Sequence, residues 1–592
     1  MCRIAGLITK ETRNDAEQLV RAMTRALQHG GPDDEGIYSE GQVHLGHRRL
    51  SIIDLSKNGH QPMTDAQGGL WLVFNGEIYN FPELRAELEK EGYQFRSGTD
   101  TEVLIVAYRV WGTSAFSRFK GMFAFCLYDQ PKAKVYLVRD QSGIKPLYYF
   151  LDDKQLVFSS EVRAFRYFNS NWPENKAWKS TFLAFGSIPA PFTTLQGVFS
   201  LKKGSYLELD LKSFESTEKI YNQWTFSHQV KQESDAIVQV REAMDLAVER
   251  HLISDAPIGV FLSGGIDSSL LALLAAKNTG KQLSTISINF DEASFDEAVY
   301  QNIVRKDLPG SHKAYTVTDQ MFLDHIEDFF QALDQPTNDG VNSYFVSKCA
   351  HDLGLKAVLS GLGADEYFGG YSSFQRIKQL KKLKQLPTGL MAKILGGFKD
   401  SYKRFKYLSM GNVVGDYLFL RGFYPPQDIA DILELSESEV MRQVSSVANH
   451  LPDFAGHEQN YAAFLNAEIY MSNQLLKDTD LMSMWHALEV RVPFLDVDLL
   501  NTVLALDPSL KYDRDRPKYM LTKTYEDILP REVVYRQKYG FTFPFEIWLK
   551  RHIERLDPLL SKNEGTQKAK QKFLQSQLHW SKFWSLAVSD RF

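Results

Sequence analysis

The run Ile258-Gly259-Val260-Phe261-Leu262-Ser263-Gly264-Gly265-Ile266-Asp267-Ser268-Ser269 constrains this chain more than any other segment. An apolar strand enters paired glycines, and a helix over Ser268 to Lys277 leaves them, as at a strand end in a parallel sheet. Paired glycines let successive backbone N–H groups converge on an anion at the helix N-terminus. Asp267 would repel a phosphate unless a divalent cation bridged the two, so the loop predicts nucleotide and Mg²⁺ together. No lysine follows the second glycine, which excludes a Walker A loop.

The flanking pattern agrees. A helix over Ile237 to His251, a strand over Thr285 to Phe290 and a helix over Asp296 to Val304 alternate with the loop, predicting an α/β doubly wound domain. A second glycine turn, Leu359-Ser360-Gly361-Leu362-Gly363-Ala364-Asp365-Glu366, follows the apolar strand Lys356 to Leu359. Two such strand ends can meet over one ligand at a switch point, with Asp365 as a second carboxylate for the metal. From Arg376 onward the spacing is mostly helical.

The first 150 residues read differently. Short runs at Gln42 to Leu45, Leu70 to Phe74, Met122 to Tyr128, Val135 to Val138 and Leu147 to Phe150 predict strands; Ala16 to Gln28 and Phe81 to Glu91 predict helices. The combination suggests an α+β sandwich. Between Pro173 and Trp224 the pattern loosens and reads as an inter-domain connection. Domains are expected at 1–205 and 206–592, since 592 residues exceed what one core supports.

Cys2 is the candidate nucleophile of the first domain. Removal of Met1 would leave its thiol beside a free α-amine, whose pKa near ~8 suits a built-in base. Cys126 on an alternating strand and Cys349 on an apolar helix face read as core thiols. Three unclustered cysteines give no disulfide scaffold and fit a reducing cytoplasm. A net charge of −5 supplies no basic footprint for nucleic acid, and no apolar run reaches the roughly 18–20 residues of a membrane span.

Motifs around Cys2 narrow the reading. Cys2 to Gly6, His29-Gly30-Gly31-Pro32-Asp33, Arg48-Arg49-Leu50-Ser51-Ile52, Asn75-Gly76-Glu77-Ile78-Tyr79-Asn80, Ser97 to Asp100 and Arg139 to Tyr148 occur in this order. Together they resemble the class II glutamine amidotransferase domain, an N-terminal-nucleophile αββα fold. Glutamine needs a cation for its carboxylate, an acid for its ammonium and donors for an oxyanion. Arg49 suits the first by bidentate pairing and Asp100, with Glu77, the second, while Asn75 and the Gly76 N–H suit the third. Leu50, Ser51, Ile52 and Ile53 would line the pocket.

The glycine turns are similar to those of PP-loop ATP pyrophosphatases, which yield AMP and pyrophosphate. With Leu488 to Asp496 and Arg536 to Phe541, the chain resembles the glutamine-hydrolysing asparagine synthetase family nearly end to end. The resemblance implies that Phe261, Leu262, Ser263, Gly264, Gly265, Asp267, Ser268, Ile288, Ser360 and Gly361 bind ATP. It further implies that Asp267 and Asp365 bind Mg²⁺, that Lys538 neutralises charge during adenylation, and that Leu488 to Asp496 is architectural. The expected reaction amidates β-aspartyl-AMP, made from aspartate and ATP, with ammonia released at Cys2, and the expected assembly is a homodimer. Two positions depart from the family: Leu362 stands where many synthetases carry an acid, and Gly30 where arginine is usual. A uronic acid or cell-surface precursor as acceptor, and a catalytically silent scaffold, stay open at this point.

Overall fold

The computed structural model describes residues 2–279, 283–384, 403–454, 456–512, 516–538, 540 and 542–592. Tyr539 and Phe541, part of the Arg536 to Phe541 motif, lie outside the described residues. The first twelve strands form two six-stranded antiparallel sheets. They are β1 (Arg3–Thr9), β2 (Asp34–Glu40), β3 (Val43–Arg49), β4 (Met63–Thr64), β5 (Leu70–Ile78), β6 (Gly121–Asp129), β7 (Lys134–Arg139), β8 (Tyr148–Leu151), β9 (Gln155–Ser159), β10 (Phe199–Ser200), β11 (Ser205–Asp210) and β12 (Ser216–Ile220). The orders are β10-β8-β9-β1-β3-β2 and β12-β11-β7-β6-β5-β4.

Strand alternation explains the layering. Ile4 and Ile8 of β1 face Val73, Ala124 and Cys126 in the core between the sheets. Ala5 and Leu7 face the other way, onto Val20 and Met23 of α1 (Ala16–Arg25). Phe74, Phe123 and Phe125 pack outward on Leu84 and Leu88 of α2 (Phe81–Lys90) and on Val103 and Leu104 of α3 (Asp100–Trp111). The result is the expected αββα sandwich.

The segment read as a connection, 173–224, is not one. It holds α4 (Trp178–Phe185), β10, β11 and β12. The 205/206 boundary falls at the start of β11, which pairs with β7 from Tyr206↔Val138 to Asp210↔Lys134. Its proline and lysine content hid short strands that depend on distant partners, β10 on β8 and β11 on β7. Trp178, Phe182 and Leu183 of α4 are buried in the core of the C-terminal helices.

The second domain begins with α5 (Glu233–His251). Its parallel sheet runs in the order β15-β14-β13-β16-β17, with β13 (Ile258–Phe261), β14 (Ser284–Asn289), β15 (Ser311–Thr316), β16 (Ala357–Leu359) and β17 (Glu489–Arg491). Chain order reverses between β13 and β16, so their carboxyl ends flank the switch-point crevice. Helices from Ser373–Leu383 to Trp580–Arg591 form the remainder, including a π-helical stretch at Asn466–Leu475. Among the described residues, no helix is long and apolar enough to cross a membrane.

Candidate active sites

Cys2 precedes β1 and is buried, with its Sγ 4.0 Å from the Leu50 carbonyl. Burial pushes the thiol up to about 11, against the opposing pull of the Leu50 contact and Arg49. It is therefore a thiol at rest and needs a base when substrate binds. Asn75, on β5, is fully buried, and neither its Oδ1 nor its Nδ2 has a hydrogen-bond partner. Such an amide is costly unless a ligand completes it, as an oxyanion would.

The acids sit deeper. Asp100, at the start of α3, accepts from the Ile78 N–H at 2.9 Å, and burial raises it to about 6. Glu77 is raised well above its usual value by burial and then by Glu489 and Asp100. Arg491 of β17 approaches Glu77 at 3.6 Å and also pairs with Glu489. The Leu488 to Asp496 segment thus reaches Glu77 and the first domain through Arg491, a contact that sequence reasoning missed.

Arg49 ends β3 with its guanidinium donating to the Ser56 carbonyl at 2.7 Å and to the Asp54 carbonyl at 2.5 Å. It holds the 54–56 loop and lines a cavity of about 730 Å³ together with Ser51, His60 and Lys356. Leu50 and Ile52, with Ile53 against them, pack into the core that also contains Val260 and Leu262 of the second domain. The backbone ties the same loop across: Asp255 N–H donates to Ile52 at 3.0 Å, and Asp54 N–H to the Asp255 carboxylate at 2.7 Å. Gly30, the departure from the family pattern, lies beneath Arg3, where a Cβ would come within 2.7 Å of Cγ. Arg3 uses that space to reach Glu161 and Asp480, both at 2.7 Å.

In the second centre the two glycine turns touch. A Cβ on Gly361 would lie 2.8 Å from the Asp267 Cβ. Ser263 and Ser268 share a hydroxyl contact of 3.0 Å across the phosphate loop, and Ser268 Oγ also accepts from the Ser263 N–H at 3.1 Å. Leu262 and Ile288 are buried beside the loop, and Phe261 is partly buried. Ser360 donates its N–H to the Arg491 carbonyl at 2.8 Å, joining this centre to the wall of the first.

The carboxylates converge on a lysine that the motifs did not reveal. Lys518 is buried and contacts Asp267, and its Nζ lies 2.6 Å from Asp365. Lys538 donates to Asp365 at 2.7 Å and to the Gly370 carbonyl at 2.8 Å. Burial favours a protonated Asp365, but Lys518 and Lys538 together hold it down at about 2. Asp267 is raised by burial in spite of Lys518, and its Oδ1 is buried without a partner. Lys518 was invisible in sequence because a lone lysine in a charged stretch ordinarily lies in solvent; its left-handed φ of 49° is a tertiary feature.

Asp267 and Asp365, with the orphaned Asp267 Oδ1, are oxygen donors of the kind that would hold a hard cation. Leu362 packs on the domain core. The nearby acid is Glu366, which accepts from the Tyr371 hydroxyl at 2.6 Å and which burial, then Asp365, raises to about 7.

Residues 1–222 match the glutamine amidotransferase domain and residues 239–587 match asparagine synthase. The chain belongs to the glutamine-hydrolysing asparagine synthetase family. It is 32% identical over 568 residues to asparagine synthetase [glutamine-hydrolyzing] 1 of Bacillus subtilis, covering 93% of this chain and 88% of that protein. Asparagine synthetase [glutamine-hydrolyzing] 3 of the same organism is 28% identical, covering 91% and 86%. Amidase chry2 of Gibberella zeae is also 28% identical, covering 93% and 90%. Membership in the family makes this chain an ATP-dependent carbon–nitrogen ligase with a glutaminase domain.

Proposed function

We propose that the protein makes asparagine from aspartate, ATP and glutamine. The observation that carries the reading is the pairing of a buried Cys2 beside the orphaned Asn75 amide with a carboxylate–lysine cluster between two glycine turns. In the first site the Cys2 thiolate attacks the glutamine side-chain amide while Asn75 Nδ2 and the Gly76 N–H hold the oxyanion. Ammonia leaves, and water releases glutamate from the thioester. Asp100, with Glu77, takes the α-ammonium, and Arg49 the carboxylate. After loss of Met1, the Cys2 α-amine would accept the thiol proton.

In the second site a carboxylate oxygen of aspartate attacks the α-phosphorus of ATP and expels pyrophosphate. Ser263 to Ser268 hold the phosphates through backbone N–H groups, Phe261, Ile288, Ser360 and Gly361 line the nucleotide, and Lys538 balances the charge that develops. Asp267 and Asp365 would hold Mg²⁺, which would supply charge neutralisation for the triphosphate. Ammonia then attacks the acyl carbon, and AMP departs.

The test is pyrophosphate release with aspartate as acceptor, driven by glutamine or by ammonium. Both should drive wild type, and only ammonium should drive Cys2→Ala. Silence with aspartate under both nitrogen sources would refute the reading. The same reading expects a cytoplasmic homodimer, which sedimentation of the purified protein checks.

A further inference from the structure

A cavity of about 770 Å³ opens at the seam between the first domain and the C-terminal helices. Its described lining residues include none that act at Cys2 or at the two aspartates. Both domains build it. Phe199 of β10 pairs with Tyr149 of β8, and Trp224, just after β12, donates its indole N–H to the Gln141 carbonyl at 3.1 Å. The second domain contributes Phe454 and Phe464, with ring centroids 5.1 Å apart. Tyr149, Phe199, Trp224 and Phe454 are only half-buried, which leaves ring surface open to the cavity. A space of this size, walled by rings and a few polar groups, has the form of a small-molecule site.

The charges on the wall differ in how they are satisfied. Lys203 donates to Glu468 at 2.7 Å and to Ser472 at 3.4 Å, so it is already balanced, and it pins the seam. Arg139 is saturated by neutral acceptors, the Gly143, Lys145 and Leu201 carbonyls and the Ser200 hydroxyl. Lys477 is different. It is buried on the helix Leu476–Trp485, where its Nζ donates to the Ile188 carbonyl at 3.0 Å. Among the described residues it forms no ion pair. Burial and then Arg139 push it down to about 7, against the pull of Asp478 and Asp334. A buried ammonium with no counter-charge carries a desolvation cost that a bound anion offsets. Glu218 and Asp453 also line the cavity and would repel a polyanion, so the complement is a single negative charge.

We propose that this cavity is a binding site for an aromatic monocarboxylate, with its ring system among Tyr149, Phe199, Trp224, Phe454 and Phe464 and its carboxylate on the Lys477 ammonium. The rings come from both domains, so an occupant ties the glutaminase to the synthetase helices at a place remote from either chemistry. The site goes beyond the asparagine-synthetase reading and does not depend on it, because binding is read without turnover.

The experiment titrates naphthalene-1-acetate into the full-length protein at neutral pH, followed by calorimetry. Wild type should bind it with a Kd of about 100 μM or tighter. 2-(1-Naphthyl)ethanol keeps the rings without the charge, and acetate keeps the charge without the rings; each should bind at least about 10-fold more weakly. Lys477→Met should weaken the acid by about 10-fold or more and remove its advantage over the alcohol. Phe199→Ala should weaken acid and alcohol alike. Contact with a carboxylate raises the Lys477 pKa, so binding should take up part of a proton, read as a difference in heat between HEPES and Tris buffers. Ammonium-driven pyrophosphate release by the variants checks that they are folded. No binding to wild type, equal affinity for acid and alcohol, or unchanged affinity in folded Lys477→Met would overturn the assignment. If Lys477→Met does not fold, the alcohol comparison and the proton uptake of wild type decide, and absence of either counts against the site.

Discussion

The glutaminase centre keeps a buried amide with no partner and two carboxyls pushed towards protonation, whereas the synthetase centre pairs each of its two aspartates with a lysine and leaves one aspartate oxygen without a partner. Each state suits its substrate. Glutamine is small and carries its own ammonium, so its pocket can wait with acids that ionise as that ammonium arrives. ATP is a polyanion, and a crevice with two bare carboxylates would repel it. Lys518 and Lys538 stand against those acids and offset their charge.

The largest effect expected from this contrast is at the nucleophile. Cys2→Ala should abolish glutamine-dependent synthesis, a loss of at least about 10⁴-fold, with ammonium-dependent synthesis retained. Parallel loss of both activities would mean that the two centres cannot be described separately. Asn75→Ala should lower the glutaminase kcat by about 10²–10³-fold with little change in KM, since an oxyanion donor acts in the transition state. Glutamate release measured by itself checks this.

In the other centre, Lys518→Met should reduce pyrophosphate formation with either nitrogen source by about 10²-fold and leave basal glutamate release intact. Lys518→Arg should recover part of the loss if charge is what matters. An Asp267–Asp365 pair indifferent to Lys518 would break the comparison.

The domains meet at Asp480, on the helix Leu476–Trp485, which accepts from Arg3 at 2.7 Å and Lys145 at 2.5 Å. Burial opposes its charge, but Arg3 and Lys145 hold its carboxyl below the usual value. A depressed folded pKa contributes stability above the unfolded value of about 3.9 and loses it as pH falls further. Asp480→Asn should therefore destabilise the protein by about 3–5 kcal/mol at neutral pH, and the difference from wild type should shrink in acid. Denaturant unfolding at pH 7 and pH 3 reads both values.

The smallest effect is a pH dependence. On the proposed reading Asp100, raised to about 6 by burial, holds the glutamine ammonium only when ionised. The KM for glutamine should rise by up to about 10-fold per unit as pH falls below 6, and the KM for aspartate should not follow it.

Much of this was legible in residue order. Apolar alternation in β1, β5 and β6 specified a sandwich, and the strand–glycine–helix run specified the doubly wound sheet, because both are local consequences of side-chain period and backbone freedom. Cys2, Asn75, Asp267 and Asp365 stood out in sequence because their motifs are only a few residues long, and the structure brings the two aspartates together on Lys518. Segment 173–224 resisted because its strands are short and its helix is buried by a distant part of the chain.

By itself, then, the sequence determined two domains and pointed to a chemistry for each, the Cys2 thiol in the first and a glycine loop at a sheet switch point in the second. Only the tertiary structure decided what stands opposite them. Arg491 reaches Glu77, Lys518 sits between two aspartates, and Arg376, Arg404 and Arg421 share one cavity wall. Arg491 lies in the Leu488 to Asp496 segment that the resemblance singled out, whereas the other four come from segments with no motif of their own. Electrostatic partnership depends on distance in space, which a linear pattern of residues does not encode.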